Sequence, residues 1–378
     1  YVPLDTNYPS ERINFILRET LAQVLVTEAA LNSEKLEFSG KFVCLDTEKD
    51  GISQQPTTRP QSSVSLKNLA YIMYTSGSTG QPKGVQITHA DISHYIPAVS
   101  NLLGINALDR YLHLASFSFT ASVRQLFVPL VCGATCVIAT REQTQDPIQL
   151  FRLIEAHQVS ISDGIHSIWQ YGLEALESLP DQHLKSLVNS KLAKIVFSGD
   201  RLPTKLVSKL QSIFNQRIQL FNIHGQTETL GNCAYAIPED YVSERRFVPV
   251  GSPLPHNQAY ILDETLAPVA SGEIGELCMT GDCLSRGYLN RPQLNAERFV
   301  PCSSSDTGST QLFRTGDLAR SLDDGNIEIL ERIDFQVKIR GMRVEVGEVE
   351  AQMMARPNVQ RAIVKAQKDF REEPQLVG

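Results

Sequence analysis

Residues 74–84 read YTSGSTGQPKG: three glycines, two serines, two threonines and a lysine, directly behind the apolar run Leu69–Met73. A segment this small and polar cannot pack a core. It follows a strand-like run, and Gly77, Gly80 and Gly84 let backbone amides crowd round an anion. Ser76, Ser78 and Thr79 add hydroxyl donors, and Lys83 adds a positive charge. The Gly-x4-Gly-Lys-Ser/Thr spacing of a Walker A loop cannot be laid on it. A flexible Ser/Gly linker seldom sits directly behind a buried strand with a fixed Pro-Lys-Gly ending.

Outward from this loop, strand-like runs alternate with helical patterns. Leu69–Tyr74, Arg110–Ala115, Thr135–Ala139, Lys194–Phe197 and Gln219–Asn222 read as short buried strands. Between them, Asp91–Leu102, Pro147–His157 and Pro203–Phe214 have helical length and spacing. The alternation predicts α/β layers with largely parallel sheets. From about Phe247, Gly and Pro become frequent and short strands such as Gln258–Leu262 and Gly275–Thr280 predict a smaller antiparallel, β-barrel-like portion. Ser10 is the expected N-cap of a first helix. Cys302–Thr310 reads as a surface loop.

The whole chain sets bounds. Its 378 residues exceed one ordinary core. A formal charge of −7 argues against broad binding of nucleic-acid backbones. No run of 18 apolar residues predicts a membrane span, and the N-terminus lacks a signal-peptide pattern. Seven scattered cysteines never form CxxC; Cys132 and Cys136 read as core thiols, and a reduced, cytoplasmic setting is expected. Both ends read as cut: a strand-like run, Arg361–Lys365, is followed by a polar stretch with no closing element, as in a piece of a longer polypeptide.

The loop 74–84 resembles the phosphate-binding signature of the adenylate-forming superfamily, which includes acyl-CoA synthetases, luciferases and adenylation domains of nonribosomal peptide synthetases. Further matches follow in the family's order over essentially the whole chain: YVPLDTNYPSERINFIL at the start, NIHGQTE (222–228), GEIGELCMTG (272–281), RGYLNRPQLNAERF (286–299), FRTGDLAR (313–320) and RIDFQVKIRGMRVEVGEVE (332–350). The first and last favour the peptide-synthetase branch. The resemblance implies a large core over 1–333, which binds ATP and a carboxylic acid, then a hinge and the beginning of a small α+β lobe over 334–378.

The implied reaction joins a carboxylate to the α-phosphate of ATP, releases pyrophosphate, and passes the acyl group to a thiol, here the phosphopantetheine of a carrier protein. Two anions must meet, so donors and Mg²⁺ must offset their repulsion. The resemblance implies that Thr75, Ser76, Gly77, Ser78, Thr79, Gly80 and Lys83 hold phosphates, with Thr79, Lys83 and Glu228 catalytic and Glu228 also on Mg²⁺. It places Gly199, Asp200, Asn222, His224, Gly225 and Thr227 around the nucleotide. It puts Asp317 and Arg332 on the ribose and makes Asp334 the pivot. His224 stands where the family keeps an adenine-stacking tyrosine, and the usual Gly-Gly-Glu is Ser198-Gly199-Asp200. The family's final lysine-bearing motif is absent, and neither Lys338 nor Lys365 reads as its substitute.

The implied substrate pocket is Thr120, Ala121, Arg124, Asp163, Val196, Ser198, Ile223, Gly231 and Asn232. In FSFTASVRQLF (117–127), Thr120 occupies the place of the aspartate that pairs with an α-ammonium. Three readings are open: a substrate without an α-amino group, Asp163 taking over an ammonium or a cationic side chain, or Arg124 meeting an acidic group. An Arg124–Asp163 salt bridge is the structural alternative. An amino acid or close analogue is the expected substrate.

Other residues read as structural. His89 is expected to cap or pack, Trp169 and Tyr171 to fill core, and Glu345, Glu348 and Glu350 to form a solvated acidic face. The sequence predicts an adenylation domain with a carrier protein as partner. A stand-alone acyl- or aryl-CoA ligase, an activator of keto, hydroxy or aryl acids, and a non-catalytic nucleotide-binding module are the alternatives.

Overall fold

The computed structural model describes all residues except 32–35, 78–80, 178–185, 303–309, 335, 340–341, 355 and 369–373. Its central element is a seven-stranded sheet in the order Ser252–Pro253, Cys233–Ile237, Gln219–His224, Lys194–Ser198, Ile161–Gly164, Arg110–His113, Thr135–Ile138. The last five strands run parallel and the first two antiparallel.

Side-chain alternation explains how this sheet is covered on both faces. Ile195 and Phe197 join Leu112 and Leu220 on one face, packed against Trp169, Leu173, Leu206 and Phe214. Val196, Tyr111, Ile161 and Phe221 point to the other, against Val123, Val99, Tyr71 and Val85. Thr204–Ile213, Pro147–Ala156 and His166–Glu177 supply helices of the first layer; His89–Leu103 and Thr120–Val131 belong to the second. Trp169 is buried, as expected, whereas Cys132 and Cys136 are only half-buried.

The loop over 74–84 connects two antiparallel strands. Leu69–Thr75 and Lys83–Thr88 form a hairpin with Thr75 opposite Lys83, and Gly287–Tyr288 pairs with the second strand. The expected parallel arrangement therefore holds for the seven-stranded sheet, while this strand belongs to a three-stranded antiparallel one. The register brings Ser76, Gly77 and Lys83 to one end of the hairpin. Gly84 is required there: a Cβ would lie 2.9 Å from both Ile72 Cγ2 and the Tyr74 ring.

Beyond residue 250, Asn257–Leu262, Gly275–Gly281, Gln311–Ser321 and Phe299–Pro301 form an antiparallel sheet, with Ile327–Arg332 also paired to Gln311–Ser321. Among the described residues its edges do not pair with each other, so the barrel-like portion is an open sheet. The last segment holds the hairpin Gln336–Ile339/Met342–Glu345, the helix Val346–Met354, and a second hairpin, Lys365–Lys368/Pro374–Val377. That hairpin starts where the strand predicted over 361–365 was to end.

The first helix begins at Ser10 after Pro9, without a side-chain cap. Thr88 and Asp91 form the capping box of His89–Leu103, which leaves His89 itself exposed and neither capping nor packed. Among the described residues no helix is long and apolar enough to cross a membrane. All seven cysteines are unpaired; burial pushes Cys233, Cys278 and Cys283 up to about 12, so these thiols are inert at neutral pH.

Candidate active site

Two cavities, of about 1220 and 540 Å³, share Gly199, Ile223, Arg332, Gln336 and Val337 as walls. They lie beyond the carboxyl ends of Lys194–Ser198 and Gln219–His224, where ligands collect in open α/β sheets.

The larger cavity is organised by Arg332. Asp317 and Arg332 are directly opposed across two antiparallel strands, and the guanidinium donates to Asp317 Oδ1 from Nη1 at 2.8 Å. Nε and Nη2 donate to the two oxygens of Asp334 at 2.7 and 2.6 Å. Burial alone would lower the Arg332 pKa, but the Asp334 and Asp317 carboxylates overcome it and raise it. Asp317 also accepts from Gln226 Nε2 at 2.9 Å, and His224 Nε2 lies 3.4 Å away. Gly199, Asp200, Asn222 and His224 line the same cavity. Asn222 is additionally tied down, donating to the Pro249 carbonyl at 2.9 Å. Gly225 is forced, since a Cβ would sit 1.8 Å from the Leu230 carbonyl oxygen.

At the hairpin end, Lys83 is buried with its Nζ 3.7 Å from Glu345 Oε1 and 5.1 Å from the centre of the Tyr288 ring. The Tyr288 hydroxyl donates to Glu228 Oε1 at 2.6 Å, and Glu228 is fully buried. Thr75 Oγ1 is buried without a partner among the described residues. Ser78, Thr79 and Gly80 lie outside the described residues.

The acidic face expected at 345–350 is not solvated. Glu345 is 3% exposed and faces Lys83, and Glu348 pairs with Arg12 at 3.0 Å. Burial raises the Glu348 pKa, partly offset by Arg12 and the Gly77 N–H. Glu350 accepts from the Val364 amide at 2.8 Å. The sequence places three acids close together, but their partners stand up to 336 residues away.

The smaller cavity holds Thr120, Ala121, Arg124, Ser198, Ile223 and Gly231 in its lining, with Gly225 and Thr227. Thr120 donates to Thr227 Oγ1 at 3.2 Å. Val196 and Asn232 are buried but do not line it. Asp163 is 0% exposed and stands behind Arg124. The two form a bidentate pair, Nε to Oδ2 and Nη2 to Oδ1, both 2.7 Å. The salt bridge is thus present, and Asp163 does not reach the cavity. Burial alone would lower the Arg124 pKa, but the Asp163 charge holds it well above its usual value.

Sequence reasoning missed Gln226, Tyr288, Tyr95 and Tyr111. Gln226 sits within NIHGQTE, and Tyr288 within RGYLNRPQLNAERF. Tyr95 and Tyr111 carry no local signal, because their partner charges are distant in sequence.

Residues 1–289 match the AMP-binding enzyme family model. The chain is 38% identical over 368 residues to malpinin synthetase of Mortierella alpina, covering 97% of this chain and 4% of the relative. It is 34% identical over 382 residues to gramicidin S synthase 2 of Brevibacillus brevis, covering 100% of this chain and 8% of the relative. It therefore spans a small fraction of the length of these relatives. Among solved structures, NpsA-ThdA, an artificially fused adenylation–PCP di-domain from Klebsiella oxytoca, matches with a TM-score of 0.84 at 27% identity, covering 99% of this chain and 72% of that one. A four-domain nonribosomal peptide synthetase, holo-AB3403, bound to AMP and glycine, matches with a TM-score of 0.72 at 28% identity, over 100% of this chain and 27% of that one. With the family model spanning three quarters of its length, the chain belongs to the AMP-binding enzymes.

Proposed function

We propose that this chain activates a carboxylic acid as acyl-AMP for thioester loading onto a carrier protein in nonribosomal peptide synthesis. The observation that carries this reading is the Asp317–Arg332–Gln226 cluster, set at the shared wall of two adjoining cavities. A carboxylate has only acceptor oxygens, which suits paired ribose hydroxyls. Asp317, with Arg332 and Asp334 fixing its place, would take the ribose. Gly199, Asp200, Asn222, His224, Gly225 and Thr227 would border the base and sugar.

Thr75, Ser76, Gly77 and Lys83, with residues 78–80, would hold the phosphates. The buried ammonium and the unpartnered Thr75 hydroxyl are chemically suited to an anion. Glu228 offers one carboxylate, which fits a Mg²⁺ ion held mainly by phosphate oxygens and water. When bound, ATP and Mg²⁺ supply an electrophilic α-phosphorus and a charge-compensated pyrophosphate leaving group. An acid carboxylate oxygen attacks that phosphorus as the bond to pyrophosphate breaks; no proton transfer is needed. A carrier thiolate then attacks the acyl carbon and AMP departs. In this reading residues 1–333 form the core, and 334–378 are the hinge at Asp334 and the start of the smaller lobe.

The solved neighbours NpsA-ThdA and holo-AB3403 are nonribosomal peptide synthetase chains, which favours a carrier thiol over coenzyme A. The test is acid-dependent ATP–pyrophosphate exchange by the natural polypeptide containing this chain, with Asp317→Asn as control. Losing a charged hydrogen-bond acceptor should raise the ATP KM roughly 10- to 100-fold, from about 1.5–3 kcal/mol. Absence of exchange with every acid, or an unchanged KM for the variant, would overturn the assignment.

A further inference from the structure

The inner end of the smaller cavity has an unusual hydrogen-bond balance. Arg124 spends Nε and part of Nη2 on Asp163, donates from Nη2 to Ser198 Oγ at 2.9 Å, and donates from Nη1 to Tyr95 Oη at 3.0 Å. A guanidinium has no acceptor, so both hydroxyls are forced to accept from it. Each is left with its own hydrogen, and among the described residues neither hydroxyl has an acceptor for it. Tyr95 is 1% exposed, so water does not readily reach its hydrogen, whereas Ser198 is half-buried and faces the cavity, where a ligand can meet it. Burial raises the Tyr95 pKa, so its hydrogen stays in place at neutral pH.

The counter-ion adds nothing on the cavity side. Asp163 is fully buried and occupied by Arg124 and by the Tyr111 hydroxyl at 2.8 Å. Neighbouring lining residues are apolar: Ala121 lies one helical turn before Arg124, and Ile223 pairs with Ser198 across the sheet. Four lining side chains carry an unpartnered buried acceptor, Thr75, Gln226, Gln336 and Glu348, and none of them is hydrogen-bonded to this cluster: Gln226 sits beside Asp317 and Glu348 beside Arg12. Gly231 keeps this end tight, since a Cβ there would lie 2.7 Å from Tyr95 Oη.

We infer that the Arg124–Tyr95–Ser198 cluster is the specificity element of the acid pocket, and that it selects a carboxylic acid bearing an oxygen acceptor (hydroxyl, keto or carboxylate oxygen) over one bearing an ammonium at that place. An ammonium brings three donors and no acceptor, so donors would face donors at this end of the cavity. A keto or carboxylate oxygen satisfies both orphan hydrogens at once, and a hydroxyl can accept one of them. This rests on the acid-activation reading for the identity of the ligand as a carboxylic acid.

The test measures binding of acids directly, by calorimetry or ligand-observed NMR, alongside pyrophosphate exchange. The probes are matched sets of carboxylic acids of three to eight carbons, differing in one substituent: hydrogen, hydroxyl, keto oxygen, carboxylate or ammonium. Oxygen-bearing members should bind at least tenfold more tightly than their ammonium counterparts. Ser198→Ala and Tyr95→Phe, which keep the ion pair, should each cut the oxygen preference about fivefold. In both variants the loss should fall at least threefold more heavily on oxygen-bearing acids than on unsubstituted ones, a split that a merely structural role would not produce. Tightest binding by ammonium-bearing acids, no binding by any acid, or equal losses for all acids in both variants would overturn the inference. Selective binding without exchange would instead sink the activation reading and leave this one standing. Exchange without oxygen preference would do the reverse.

Discussion

Replacing Arg124 by leucine removes the cation paired with a carboxylate that is 0% exposed. Asp163 would retain only the Tyr111 hydroxyl on its side-chain oxygens. Removing one partner of a buried pair costs about 3–5 kcal/mol, because the survivor's charge stays desolvated. For 378 residues unfolding together, the unfolding entropy near the midpoint is about 0.8 kcal/mol/K, which converts that cost into a fall in Tm of roughly 4–6 °C. Asp163→Leu should cost a similar amount by stranding the guanidinium. The double variant Arg124→Leu/Asp163→Leu strands nothing and should recover most of the loss, since apolar replacement of buried pairs is often neutral. Calorimetry on the four proteins closes a double-mutant cycle with an expected coupling of several kcal/mol. If Arg124→Leu moved Tm by less than about 1 °C, or if the two single losses simply added, the pair would not be a coupled buried unit.

Three further outcomes are expected. Gly231→Ala should cost about 1–3 kcal/mol through overpacking, since its Cβ would lie 2.7 Å from Tyr95 Oη and 2.8 Å from Ile223 Cγ2; denaturant titration measures it, and a neutral result would refute the tight packing. Glu345→Gln should lower the ATP KM about fivefold, from roughly 1 kcal/mol, because phosphates would no longer compete with a carboxylate for Lys83; a raised KM would show that Glu345 assists nucleotide binding. Burial lowers the pKa of His113 and His166 below the ordinary 6.5, with carboxylates at Asp163 and Asp200 respectively opposing it. A depressed imidazole pKa means the folded state binds fewer protons. Stability from these residues is then full above pH 6.5 and declines as pH falls below it. Tm measured from pH 7.5 to 5.5 should therefore drop (about two pH units), and a double His→Asn variant should flatten that slope.

The sequence disclosed local features well and tertiary ones poorly. The parallel strands were legible because burial on both faces leaves short apolar runs such as Lys194–Phe197, whose alternate side chains feed two different cores. Asp317 and Arg332 were legible through their motifs, and the antiparallel register explains why they meet. The hairpin nature of the loop was not legible: Lys83–Thr88 carries Gly84 and Gln86, and nothing local distinguishes a turn back from a crossover. Glu345 and Glu348 were misread for a stronger reason. Three acids within six residues look like a solvated face whenever the cations that neutralise them lie elsewhere. Lys83 and Arg12 are 262 and 336 residues away from them. Arg124 and Asp163 stood out as opposite charges in one pocket, but only coordinates could choose between mutual pairing and pairing with a substrate.

Three of the ion pairs around the two cavities differ in how tightly they are made. Arg124–Asp163 and Arg332–Asp334 are bidentate, with both contacts of each fork at or below 2.7 Å. Such forks fix geometry and resist exchange of partners. They suit walls: one backs the smaller cavity, and the other holds the guanidinium that bonds Asp317. Lys83 and Glu345 are 3.7 Å apart, beyond hydrogen-bonding distance, with the ammonium also resting near the Tyr288 ring. A compact ammonium on a flexible stem exchanges anionic partners readily, unlike a guanidinium fork. Glu345 Oε1 also accepts from Gln336 Nε2, so a polyphosphate that drew Lys83 away would leave Glu345 a partner within its own hairpin, whereas breaking either fork would strand a charge. Glu345 belongs to the 342–345 strand, immediately before the Val346–Met354 helix. Release of Lys83 would therefore free one anchor of that segment while Arg12–Glu348 retained the other. In the proposed reaction Lys83, whose contact with Glu345 is the longest of the three, is the cation placed to change partner, and phosphate binding and the seating of residues 342–354 would then draw on the same charge.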